Sequence, residues 1–305
     1  MSIMKISIVI PVFNRAAFLV EALKSIQQQT DNDYEVVIVD DGSTDNTAAV
    51  VAPFLSSGQF TYFYQRNQER GAARNAGICR STGEYVYFLD SDDQLLPNHI
   101  FFLKKVILQL GHPDLVAAQS SFSAPDSTFL ASPSPLPLHY YSCTELLDGN
   151  RFSCNFAIRR ASIRSPFPAH RSFVTMEDWM FLLLNTYPDR SIAYLSYPTV
   201  VMRNHPFRSM HNHSQVIKAR LAATDLLLSA LSLGRKEQQI LRGHSLLFIA
   251  VHQRLNRQPL QSLRTISMIL GQRLTPAGLL RASKLLIRCF IDIPASFFPP
   301  SSFCR

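Results

Sequence analysis

The chain has 305 residues, of which 47% are hydrophobic and 17% charged, with a formal net charge of +8. That balance excludes a disordered chain, and the length suffices to bury a sizeable core in one large α/β domain or two modest ones. No run of 18 or more uncharged apolar residues occurs, which excludes a transmembrane helix, and the apolar run near Met1 is too short and too β-branched for a signal peptide. Residues 5–12, KISIVIPV, read as a strand buried on both faces. Asn14 is placed to cap the helix that follows, from about Arg15 to Gln29. YEVVIV at 34–39 is a second buried strand, and it ends in Asp40-Asp41-Gly42-Ser43. A helix from Thr44-Asp45 to about Leu55 leads to a third strand at 60–65. Gly71–Ser81 is a helix of small residues. YVYFL at 85–89 is a fourth strand, ending in Asp90-Ser91-Asp92-Asp93, and Pro97 opens a helix to about Leu110.

The alternation of strand and helix predicts a βαβ pattern with a mostly parallel sheet. A short strand follows at 114–120. Residues 123–137 hold several prolines and serines and read as a loop or flap. A helix at 144–147, a strand at 153–158, a helix at 177–185 and a strand at 192–202 complete an α/β body near residue 214. The remaining chain reads as helical, with Ile217, Leu221, Leu228 and Leu231 as one stripe and Ile240, His244, Leu247 and Val251 as another. Charge divides at the same place. Residues 1–214 carry 17 Lys+Arg and 19 Asp+Glu, net −2, whereas residues 215–305 carry 13 Lys+Arg and only three acidic residues, net +10. The five cysteines are scattered, without a CxxC or a Cys/His cluster, which argues against a disulfide framework or structural zinc and fits a reducing cytoplasm.

Ligands of an open parallel sheet bind outside the carboxyl ends of its strands. Three such ends carry unusual polar groups here: PVFN, DDGS and DSDD. So many carboxylates at one edge repel each other unless a divalent cation or a hydrogen-bonding nucleotide is present. A D-x-D spacing at a strand end suits Mg²⁺ or Mn²⁺, which prefer oxygen ligands and keep substrate phosphates in their shell. Neither GxGxxG nor GxxxxGK[ST] occurs, so a glycine-rich phosphate cradle is not the device.

Strand-PVFN-helix, YEVVIVDDGSTDNT and RGAARNAG-x5-GEYVYFLDSDD together resemble a family 2 glycosyltransferase of the GT-A fold. The resemblance is close over residues 3–110. It continues more weakly through LLDGN–RRA, MEDWMFLL and VVMRNH. It implies an α/β, Rossmann-like domain with a mostly parallel central sheet flanked by helices. Residues 1–110 would form the nucleotide-sugar half and 111–214 the acceptor half, with 215–305 a basic helical C-terminal extension. The implied reaction is an inverting, metal-dependent sugar transfer. The donor is a nucleoside diphosphate sugar, with uridine the default base, and the acceptor is a glycan or a lipid-linked glycan in cell-surface polysaccharide synthesis. By the same resemblance Pro11, Asn14, Asp40 and Asp41 line the base and ribose, and Arg74 lies near the nucleotide. Asp90 sits towards the ribose and Asp92 is the direct ligand of Mn²⁺ or Mg²⁺. Asp178 is the general base, His205 completes the metal shell, and Arg203 assists the diphosphate.

Each piece alone also has a structural reading. DDGS and DSDD are Asp-rich turns that can cap a helix, with Asp93 capping the next one. Glu177-Asp178 suits a helix N-terminus. His205 competes with His211 and His213. Tyr140 and Tyr141 pack into the domain or stack on an acceptor sugar. The tail LLRASKLLIRCFI at 279–291 draws as a basic amphipathic helix, with Arg281, Lys284 and Arg288 on one face and Leu279, Leu286 and Phe290 opposite. Residues 279–305 either dock on an anionic membrane, placing the protein on the cytoplasmic face of the cell membrane, or cover the catalytic domain. No nucleic-acid module accompanies the charge, so nucleic acid is not an expected partner. Two rival functions remain: a nucleotide-binding scaffold that retains the fold, and a sugar-nucleotide nucleotidyltransferase. The second would carry a glycine- and lysine-containing loop where PVFNRAAF stands.

Overall fold

Seven consecutive buried residues make β1 (Ile6–Val12) the centre of the first half of the molecule, because both of its edges are paired. The structure is a computed structural model and describes residues 4–122, 135–205, 208–269 and 272–291. β1 runs parallel to β2 (Tyr34–Asp40) on one side and to β4 (Tyr85–Phe88) on the other, and β2 is parallel to β3 (Phe60–Tyr64). The remaining strands are β5 (Gln94–Leu95), β6 (Leu115–Ser121), β7 (Leu138–Ser142), β8 (Phe156–Arg159) and β9 (Ser191–Val201). They extend one mixed sheet in the order β3-β2-β1-β4-β8-β6-β9-β5, with β7 on β9. β8 is antiparallel to both β4 and β6, so it reverses direction between parallel neighbours.

Helices cover the two faces. α1 (Ala16–Gln27) and α4 (His99–Gln109) bury Leu19, Leu23, Ile26, Phe102 and Val106 against Ile8, Ile10, Val36, Tyr85 and Tyr87. On the opposite face α3 (Glu69–Arg80) lies so close to β1 that a Cβ on Gly77 would sit 2.3 Å from Val9 Cγ1. α5 (Glu177–Thr186) stacks Phe181 on Phe167 at 3.8 Å and meets Phe88 and Phe156. α2 (Thr47–Val51) is short and passes at once into a 3-10 turn, Ala52–Ser57, with Pro53 at its start.

Four expectations need correcting. Asn14 does not cap α1: it adopts φ 50° and its Oδ1 accepts from Thr44 N–H at 2.8 Å. The helix's Ala16 N–H donates instead to Asp45 Oδ2 at 3.0 Å, so the second loop supplies the cap. Pro97 does not open a helix directly. Gln94–Leu95 first pairs with Val200–Val201 as β5, and α4 starts at His99. The segment after the flap, for which no element is expected, is strand β7 at Leu138–Ser142, held by its ladder to β9; residues 123–134 of the flap lie outside the described residues. The buried stripe of α6 (His213–Ala230) is Val216, Ala219, Ala223 and Leu227, one step from the expected one, and Leu221 is 49% exposed. Small alanines let the backbone approach closely, and that outweighs the larger leucines.

The chain divides into two compact units, Met1–Leu146 with Asn150–Arg208, and Leu147–Gly149 with Ser209–Arg305. In the second, α7 (Arg235–Leu255), α8 (Pro259–Met268) and α9 (Pro276–Ile291) gather around Leu247, Ala250, Ile269, Leu285 and Cys289. The covered face of α9 is therefore Leu285 and Cys289, with Leu279 and Leu286 left exposed. The Phe290 side chain and residues 292–305 are outside the described residues. No described helix is long and apolar enough to cross a membrane.

Candidate active site

The carboxyl ends of β1, β2 and β4 lie side by side because the three strands are parallel neighbours in register. At the β2 end both carboxylates are buried and hydrogen-bonded. Asp40 accepts from Ser43 N–H at 2.7 Å and from the Tyr62 hydroxyl at 2.6 Å. Burial and the Asp40 charge keep that phenol protonated by raising its pKa. Asp41 accepts from Gln65 Nε2 at 2.7 Å and from Gln68 N–H at 2.9 Å. Gly42 turns the chain at φ +88°, where a Cβ would meet Asn67 N at 2.9 Å. Pro11 is buried in β1 opposite Val39, and Asn14 ties the β1 loop to Thr44. Pro11, Asn14, Asp40 and Asp41 thus form one rigid corner.

At the β4 end Asp90, Asp92 and Asp93 each bring a carboxylate oxygen within 4.8 Å of the others. Asp93 is buried and pushed up to about 8, first by burial and then by the charges of Asp90 and Asp92. It does not cap the next helix; its Oδ1 accepts from Arg203 N–H at 3.2 Å. His205 Nε2 lies 2.8 Å from Asp92 Oδ2, and its ring stacks on Phe18 at 4.5 Å. Arg203 places its guanidinium 5.3 Å from the same Phe18 ring. Of the competing histidines, His213 pairs its Nδ1 with that of His252 at 3.0 Å within the second unit.

Arg74 joins this cluster to the start of α5. It is 1% exposed, donating from Nη2 to Asp90 at 2.7 Å and from Nη1 to Glu177 at 2.8 Å. Glu177 also accepts from Thr175 N–H at 2.7 Å, and Thr175 is held at φ 86°, a strained conformation for a β-branched residue. Asp178 follows Glu177 in the first turn of α5 and is hydrogen-bonded elsewhere. It accepts from Trp179 N–H and from Asn150 Nδ2, both at 2.7 Å. Burial pushes Asp178 up to about 6, helped by the Glu177 charge and opposed by Arg74. Asn150 is oriented by Phe152 N–H at 2.8 Å.

Pro11, Asn14, Asp40 and Asp41 thus fall into one group, and Asp90, Asp92, His205, Arg74 and Asp178 into a second that Arg74 holds together. The sequence assigns no site role to Asn150, Phe18 or Tyr62, and reads Glu177 only as a helix N-terminus. Asn150 stands in the quoted LLDGN, so its place was marked without its partner being visible. Nothing in the spacing of Phe18 or Tyr62 separates them from core aromatics. Of the β7 tyrosines, Tyr141 packs on Phe152 and Tyr194, whereas Tyr140 is exposed.

The mixed, largely parallel sheet with helices on both faces and acidic strand ends defines the GT-A class. TarS of S. aureus bound to UDP-GlcNAc matches over 95% of this chain and 82% of its own, with a TM-score of 0.61 at 18% identity. A mannosyltransferase from Pyrobaculum calidifontis, solved with GDP-Man and Mn²⁺, matches over 92% and 79%, at 0.55 and 18%. The model of glycosyl transferase family 2 matches residues 7–165, and the chain belongs to that family. Among curated relatives, an uncharacterised glycosyltransferase of Rickettsia conorii is 42% identical over 106 residues, 35% of this chain and 17% of the relative. The putative glycosyltransferase EpsH of Bacillus subtilis is 28% identical over 213 residues, 66% of this chain and 61% of its own. A Campylobacter jejuni protein, GalNAc(5)-diNAcBac-PP-undecaprenol beta-1,3-glucosyltransferase, is 40% identical over 95 residues, 30% and 31% of the two chains. The matches thus span less than two thirds of each of these curated relatives.

Proposed function

We propose that the protein transfers a sugar, with inversion, from a nucleoside diphosphate sugar to a glycan or lipid-linked acceptor in surface polysaccharide synthesis. The observation that carries this reading is the Arg74 bridge, which binds Asp90 to Glu177 and so sets Asp178 beside the acidic cluster. Uridine is the preferred base. Support comes from TarS, which was solved with UDP-GlcNAc, while the Pyrobaculum neighbour carries GDP-Man with Mn²⁺. The lipid-linked acceptor draws support from the undecaprenol in the name of the Campylobacter relative. That chemistry belongs on the cytoplasmic face of the cell membrane.

The donor set fits a hard divalent cation. Three carboxylates within 4.8 Å of one another and an imidazole on Asp92 suit Mn²⁺ or Mg²⁺. Asp92 and His205 would hold it, and when bound it neutralises the departing diphosphate. The corner of Pro11, Asn14, Asp40 and Asp41 receives the base and ribose. Asp90 faces the ribose and Arg74 fixes Asp90 in place. Arg203 offers a cation to the diphosphate. Asp178 takes the proton from the acceptor hydroxyl as that oxygen bonds to the anomeric carbon and the diphosphate leaves with the C–O electron pair.

The test is thermal unfolding with UDP, GDP, CDP or dTDP, each with and without Mn²⁺. At a hundredfold excess over Kd, a ligand specific for the folded state adds about 2.7 kcal/mol. UDP is expected to raise the midpoint only with Mn²⁺, and Asp92→Asn is expected to abolish that shift. An unchanged metal-linked shift in the variant would remove Asp92 from the metal shell. No shift with any nucleotide would favour a scaffold without chemistry.

A further inference from the structure

We infer that the solvent face of α9 is a docking surface for an anionic lipid bilayer. The helix has two unlike sides. Leu285 and Cys289 turn inward, joining Leu247 and Ala250 of α7, and the Cys289 thiol lies 3.2 Å from Ser262 of α8. Gly278 lets the first turn approach α7, since a Cβ there would stand 2.4 Å from the His244 ring. At about 100° per residue, Leu280 and Ile287 then point almost directly away from this seam. They are 57% and 61% exposed. Leu279 and Leu286, also exposed, lie on one flank, and Arg281, Lys284 and Arg288 lie exposed on the other.

Four large aliphatic side chains on one helix exceed the scattered exposure expected of a soluble surface. Charge names the occupant. Pro276–Ile291 contains three basic residues and no acidic one, within a region of net charge +10. A second copy of this helix would bring like charges together, which works against self-association. A nucleic-acid backbone would satisfy the basic flank and leave the leucines in water. An anionic bilayer satisfies both: aliphatic side chains enter the headgroup–acyl boundary while Arg281, Lys284 and Arg288 meet lipid phosphates. The inference gives the lipid-side setting proposed above a defined surface, and it rests on that reading only for its biological context.

The test is co-sedimentation of the full chain with phosphatidylcholine vesicles, with and without phosphatidylglycerol. Binding is expected only to the anionic vesicles, weakening at about 1 M salt, where the screening length falls to about 3 Å. Replacing all three bases by glutamine is expected to weaken binding about 100-fold, at roughly fivefold per charge. Leu280→Glu with Ile287→Glu is expected to abolish it. Both sites are exposed, so both variants should retain the midpoint of unfolding and the UDP–Mn²⁺ shift. Equal sedimentation of wild type and the glutamate variant, or no binding to anionic vesicles, overturns the inference. So does a dimer in gel filtration that the glutamate pair dissociates. Vesicle binding without any nucleotide shift would instead count against the transferase reading and leave this surface standing.

Discussion

Arg74 illustrates how one buried cation organises several acids. An arginine taken wholly out of water is costly unless its charge is matched, and here Asp90 and Glu177 match it from two different elements. The consequence falls on Asp178. Burial, reinforced by the charge of the neighbouring Glu177 and opposed by Arg74, makes Asp178 hold its proton up to about 6. A general base works only when deprotonated. Activity should therefore fall on the acid side through about pH 6, well above the usual carboxylate range, as read from kcat/KM against pH. Asp178→Asn is expected to retain UDP–Mn²⁺ binding and to lower transfer by about 10²–10⁴-fold in single-turnover assays. Wild-type turnover in that variant would end its assignment as the base.

At the scale of elements, the site depends on how tightly α3 lies on β1. Gly77 faces Val9 with no room for a methyl group, and Gly71 faces the Pro168 carbonyl at 2.5 Å from an added Cβ. That closeness carries Arg74, midway between them on α3, down to the β4 end. Gly77→Ala is expected to destabilise the fold by about 1–3 kcal/mol in urea unfolding. Val9→Ala in the same chain should restore much of the loss by vacating the contested volume. If the two substitutions simply add, the close contact is not what limits the packing. A one-residue shift also explains the misread α6 stripe: helical spacing alone permits several adjacent faces, and only the neighbouring helix selects the face of Val216, Ala219 and Ala223.

At the scale of the whole molecule, acid stability rests on a network distant from the active site. Glu35 on β2 accepts from Lys5, from Ser7 on β1 and from Thr82 before β4, so it ties three strands at their amino ends. Burial alone would raise its pKa, but these hydrogen bonds outweigh it and hold the group down to about 2, against an ordinary 4.5. A carboxyl lowered on folding contributes stability that is present above 4.5 and lost as the pH falls towards 2. Glu35→Gln is expected to cost about 1–3 kcal/mol at pH 7. The gap to wild type should narrow steadily below pH 4.5 in pH-dependent thermal unfolding. A constant gap would mean that the charge contributes nothing to the acid limb.

The parallel half of the fold was legible because continuous β-branched runs and small polar turns are local signals. KISIVIPV, YEVVIV and YVYFL could be read as buried strands without knowing their partners. The acidic strand ends were legible for the same reason, as were the family and the helical, basic character of the last third. What the residues could not disclose is which side chains meet across long separations. The Arg74–Glu177 bridge spans 103 residues, His205 and Asp92 are 113 apart, and Asp45 caps a helix that begins 29 residues earlier. Such pairings depend on how far each backbone can approach its neighbour, as at Gly77 over Val9, and on the competition of buried charges for a limited number of partners. Local spacing carries neither quantity, so the hydrogen-bond partners that separate Glu177 on Arg74 from Asp178 on Asn150 became visible only once the chain was folded.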